Sequence, residues 1–98
     1  MPAYLIANIS ITDPGRYPEY RAGVPAVLAK YGGRFLIRGG KVHPLESELG
    51  FDRCVVIEFP SVEAARAFYD SPEYAPLLKL RLETTQSKVA IVEGFAGD

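Results

Sequence analysis

Histidine and cysteine occur once each in this 98-residue chain, and tryptophan does not occur at all. The one cysteine, Cys54, has no partner for an internal disulfide, and its place in the apolar run RCVVIEF reads as a small buried hydrophobe. A lone histidine, with no second histidine or cysteine at ligand spacing, excludes the familiar metal motifs, so neither a metal nor another cofactor is expected. Charge of one sign is lacking too. Eleven Lys and Arg stand against 12 Asp and Glu, a net charge of −1, and no stripe of basic residues could neutralise several phosphates. Nucleic acid is therefore not an expected partner. Nor does any apolar run approach the ~20 residues that cross a bilayer, and the N-terminal MPAYLIANIS has no basic leader region and no long apolar core. The expectation is a cytoplasmic protein without a membrane partner.

What is present points to a folded core. Apolar residues make up 48% of the chain and charged residues 23%, ordinary proportions for a globular protein. Residues 1–98 are read as one domain, small enough to bury only about 60–65% of its unfolded surface when alone.

Period and punctuation give the elements. AYLIANISIT, residues 3–12, alternates as a strand with one wholly apolar face and one mixed face. Asp13 and Pro14 then open a helix, with Tyr17, Tyr20, Val24, Val27, Leu28 and Tyr31 as its stripe and Gly32 as its left-handed cap. Pro18 and Pro25 predict an irregular first turn and a kink. Residues 34–43 read as an extended segment with a bulge at Gly39-Gly40 that re-aims Arg38 and Lys41. Because the first glycine pair, Gly32-Gly33, ends a helix, it is not a phosphate loop, which opens one.

A polar connection, residues 44–52, leads to a strand at 53–59. Ser61 and Ser71 cap two consecutive helices, the second striped by Tyr74, Leu77, Leu78 and Leu82, and residues 87–94 form a last strand before the tail FAGD. The order is βαββαβ, a ferredoxin-like α+β sandwich on a four-stranded antiparallel sheet. The first, third and fourth strands carry apolar residues on more than one face, while the helices can cover one face only. A second copy is expected over the open face, giving a homodimer.

In this order the segments TDPGRYPEY, AKYGGRFLIRGG, VVIEFPS, FYDSPEY and the closing VEG resemble the family called domain of unknown function 1330, of the dimeric α/β-barrel superfamily, over residues 3–95. The resemblance implies a dimer and a small pocket between sheet and helices, as in cofactor-independent monooxygenases. It assigns no reaction.

Seven residues are candidates for chemistry. Arg38 could bind a carboxylate bidentately. Glu58, in an apolar strand, must be paired, hydrogen-bonded or shifted, either with Arg38 or in catalysis. Tyr20, Tyr69 and Tyr74 could turn hydroxyls into the pocket to orient a ligand, and Asn8 could line the pocket or the dimer seam. His43 is the second catalytic candidate, against a plain reading as a solvated strand-end residue. Ser71 is explained as a cap, with no base identifiable beside it. Two functions follow: a small-molecule enzyme working without a cofactor, or a non-catalytic small-ligand binding or dimeric structural module.

Overall fold

Alternating burial along Ala3–Ile11 makes this segment a strand, β1, with Ala3, Leu5, Ala7 and Ile9 turned inward. The computed structural model describes residues 1–96, so the last two residues of the expected tail lie outside the described residues. Helix α1 (Tyr17–Lys30) is followed by strands β2 (Arg34–Arg38) and β3 (Cys54–Phe59). Helices α2 (Val62–Tyr69) and α3 (Ala75–Thr84) then lead into strand β4 (Thr85–Glu93). All neighbouring strands run antiparallel in the order β2-β3-β1-β4, the ferredoxin-like arrangement expected. β3 sits inside the sheet, as its apolar sequence requires.

Ser61 caps α2 as read, whereas α1 and α3 begin later than Asp13 and Ser71 signal, at Tyr17 and Ala75, each after a turn. Ser61 Oγ accepts from the Ala64 amide, and Ser71 Oγ accepts from that of Tyr74, closing the turn that leads into α3. Asp13 does the same for the irregular turn before α1, where its side chain and carbonyl both accept from the Arg16 amide. At the far end Gly32, with φ of 75°, lets its own amide reach Ala29 O and that of Gly33 reach Leu28 O. This pair of bonds satisfies carbonyls that the helix end leaves free.

One core lies between the helices and the inner face of the sheet. Phe59 and Phe68 are among its most enclosed side chains, with ring centroids 5.5 Å apart. Each such ring contributes roughly 1.5–3 kcal/mol by leaving water. Gly23 lets α3 come close to α1, since a Cβ there would lie 2.7 Å from Leu77 Cδ2.

The outer face of the sheet is only part-covered, with residues 50–52 bonded to Asn8 and Ser10 at one end. Register joins Ile37 to Val56, Val56 to Ile6 and Ile6 to Ala90, an apolar row that crosses all four strands.

Three expectations are corrected. The extended segment at 34–43 stops at Arg38, and residues 39–53 form an irregular connection to β3. The bulge lies not at Gly39-Gly40 but between Phe35 and Ile37, leaving Leu36 as the extra residue. Leu82 is 63% exposed, and Arg81 at 4% takes the inward position on α3. A stripe drawn from apolar residues alone misses it.

Candidate functional site

A cavity of about 40 Å³ lies between the inner sheet face and the helices, room for about three waters. Its floor is apolar, with Leu5, Ala7 and Ile9 of β1 and Val55 and Ile57 of β3. Polar groups enter from its walls.

Arg38 reaches the cavity because of the bulge. Arg34 pairs in register with Glu58, and Phe35 with Ile57. With Leu36 unpaired, Ile37 opposes Val56 on the outer face and Arg38 opposes Val55 on the inner one. In an uninterrupted strand Arg38 would share the outer face with Arg34. Its Nη2 donates to the Arg21 carbonyl at 2.5 Å. That carbonyl is the one Pro25, without an N–H, cannot bond four residues later in α1. Burial, and then the like charges of Arg21 and Arg53, pull the Arg38 guanidinium below its ordinary value.

Arg53 enters the same cavity beside Gly39. A Cβ at Gly39 would collide with the Arg53 guanidinium, and φ of 76° there favours glycine in any case. Asn8 fixes the backbone around Arg53 from the outer face. Its Oδ1 accepts from the Asp52 amide at 2.9 Å and the Arg53 amide at 3.4 Å, and its Nδ2 donates to Gly50 O at 3.0 Å.

The tyrosines close the other side. Tyr20 and Tyr74 share a hydroxyl–hydroxyl hydrogen bond of 2.8 Å, and Tyr69 packs on Tyr74 with centroids 5.8 Å apart. Burial, then the neighbouring Tyr74, pushes the Tyr20 phenol far above its ordinary value, so it remains a neutral donor across the physiological range. Arg81 lies behind them, donating to the hydroxyls of Ser87 and, at 3.5 Å, Tyr69.

Arg38, Tyr20, Tyr69 and Tyr74 thus converge on one cavity, while Glu58, His43 and Asn8 do not line it. Glu58 stands on the outer face, where its Oε1 accepts from Arg34 Nε at 2.7 Å and its Oε2 from the Tyr4 hydroxyl at 3.4 Å. The expected Arg38–Glu58 pair is therefore not formed: the two side chains stand on opposite faces of the sheet, and Arg34 holds the carboxylate. His43 is exposed in the irregular connection after β2. Among the described residues no three His, Cys, Asp or Glu side chains gather as a metal-ligand group. Sequence reasoning passed over Arg21, Arg53 and Arg81. Only Arg81, on α3, had a signal, its spacing of seven from Tyr74 just before that helix.

The family model described as domain of unknown function (DUF1330) matches residues 2–95. No curated protein matches the sequence significantly. Among solved structures the chain is similar to a protein of unknown function from Rhodopseudomonas palustris, with TM-score 0.71 and 18% identity over 96% of this chain and 82% of that one. It is also similar to a dimeric ferredoxin-like protein of unknown function from Jannaschia sp. CCS1, with TM-score 0.72 and 14% identity over 96% and 100%. SnoaB, a cofactor-independent oxygenase from Streptomyces nogalater, is similar with TM-score 0.63 and 15% identity over 99% and 98%. At these identities the likeness is one of fold.

Proposed function

The chain belongs to the DUF1330 family, and from that premise we propose that it works as a homodimer taking a small organic molecule into the cavity between its sheet and its helices. The observation that carries this reading is the hydroxyl pair of Tyr20 and Tyr74 opening on the same cavity as the Arg38 guanidinium. Neutral phenols and a fixed cation, set in a largely apolar enclosure, are the groups that hold a ligand oxygen and stabilise negative charge growing on it. In the enzymatic form of the proposal, Arg38 and the one phenol proton of the Tyr20–Tyr74 pair that is not engaged between the two hydroxyls donate to a substrate oxygen, Tyr69 packs against Tyr74, and no cofactor takes part. The fold shared with a cofactor-independent oxygenase is consistent with that form.

One specific observation favours a second reading, binding without turnover. Among the described residues no Asp, Glu or His side chain lines the cavity, so this lining offers no ordinary general base. The two catalytic candidates, Glu58 and His43, lie elsewhere.

The apolar row from Ile37 through Val56 and Ile6 to Ala90 supports a second copy on the outer face, and one similar structure is described as dimeric. A free Cys54 suits a reducing compartment, in keeping with work in the cytoplasm. Native mass spectrometry and light scattering on the purified protein test the assembly, and a monomer at micromolar concentration refutes the dimer. A fragment screen read by amide NMR tests the cavity. Shifts centred on Tyr20, Val24 and Arg38 are expected, and a screen with none there defeats the pocket.

A further inference from the structure

We propose that the cavity takes a small organic carboxylate; this rests on the pocket reading above and narrows it to one chemical class. Arg21, Arg38, Arg53 and Arg81 line the cavity, Arg21 from an otherwise exposed position, and among the described residues no acidic side chain lines it with them. The ion pairs among the described residues, Arg16–Glu83 and Arg34–Glu58, involve none of the four. Arg81 is 4% exposed, and its side chain meets hydroxyls rather than a carboxylate. The Nε of Arg53 is buried and, among the described residues, has no hydrogen-bond partner. A cation removed from water without an opposite charge nearby weakens the fold, so Arg81 and the buried Nε of Arg53 favour any anion that enters. The crowding already felt by Arg38 from Arg21 and Arg53 acts in the same direction.

The class follows from shape and surroundings. A guanidinium fork matches the two coplanar oxygens of a carboxylate. The floor of Leu5, Ala7 and Val55 offers nothing to the hydration shell of an inorganic ion, but it does suit a short carbon tail. The free volume, about 40 Å³, limits that tail to one or two carbons at most. The Tyr20–Tyr74 hydroxyl pair, with one proton held between its two oxygens, supplies one neutral donor to the same anion.

Sodium propionate, propionamide and inorganic phosphate, titrated into the intact protein and followed by amide NMR, test the class directly. Propionate is expected to shift resonances of Tyr20, Val24 and Arg53, and propionamide to bind at least about tenfold more weakly, since it lacks the charge-assisted bonds. Arg53→Met is expected to lower propionate affinity by about tenfold or more. Because the comparison of the two probes uses the unaltered chain, it stands even if that variant fails to fold. Propionamide binding as tightly as propionate overturns the carboxylate and leaves the pocket reading intact. Phosphate binding more tightly than propionate overturns the organic tail. If none of the three shifts a cavity resonance, the carboxylate falls, and the pocket reading then stands or falls by the fragment screen.

Discussion

Arg38 donates from its side chain to the main-chain carbonyl of Arg21, the carbonyl that Pro25 leaves without a partner inside α1. A proline that breaks one helical bond thereby supplies an acceptor, and the acceptor aims a cation along the cavity wall. Removing Arg38 alone strands that carbonyl. Arg38→Met is expected to cost about 0.5–1 kcal/mol in the parent chain and close to nothing on a Pro25→Ala background, where the backbone amide restored by that substitution serves the carbonyl. Urea denaturation of the four proteins in the cycle measures the coupling, and strictly additive effects would dissociate the two residues.

The clustered arginines make the fold sensitive to ionic strength. Burial and like charge from Arg21 and Arg53 lower the affinity of Arg38 for its proton, so repulsion works against the folded state. Melting temperature is expected to rise between roughly 10 and 200 mM sodium chloride as the Debye length shortens from about 30 Å to below 10 Å. Arg53→Met should flatten that rise. A melting temperature falling with salt would show that attraction, not repulsion, dominates the electrostatics.

Tyr20 sets an alkaline limit. Its ordinary value is 10.0, and in the folded chain it lies well above that. The folded state then keeps a proton that the unfolded state gives up, so the contribution is intact below pH 10 and declines as pH rises beyond it. The slope for one such group is about 1.4 kcal/mol per pH unit. Denaturant midpoints measured from about pH 9 to about pH 11.5 should fall more gently for Tyr20→Phe than for the parent. Parallel curves would mean that the Tyr20 phenol titrates freely.

Glu58 and Arg38 now separate experimentally. Glu58 pairs with an Arg34 side chain that is 71% exposed, and such pairs contribute about 0–1 kcal/mol. Glu58→Gln is expected to change stability within that range and to leave propionate binding unchanged, whereas Arg38→Met weakens binding. Equal losses of binding in calorimetry would restore Glu58 to the site.

Local sequence rules carried most of the fold. Ser61 and Gly32 act as caps, and Ser71 closes the turn before α3, because such bonds are a short-range matter of one side chain or one φ angle, and β1 alternates because it pairs on both edges without interruption. The site was less legible. Arg38 and three tyrosines were visible as candidates, but the face Arg38 occupies depends on the unpaired Leu36, and nothing in RFLIR marks which residue bulges. Glu58 reads from sequence as needing a partner, and only the register makes that partner Arg34 rather than the expected Arg38. Arg81 and Arg53 escaped because a buried cation runs against the usual pattern of polar residues outside.

The spare residue in β2 also makes this strand tolerant of changes in length. With Leu36 opposed to nothing, deleting it joins Phe35 to Ile37 in plain alternation, and Arg34 and Arg38 keep the faces they already hold. An edge strand that can lose a residue without inverting its side chains can drift in length over generations while the pocket wall and the outer face keep their separate identities.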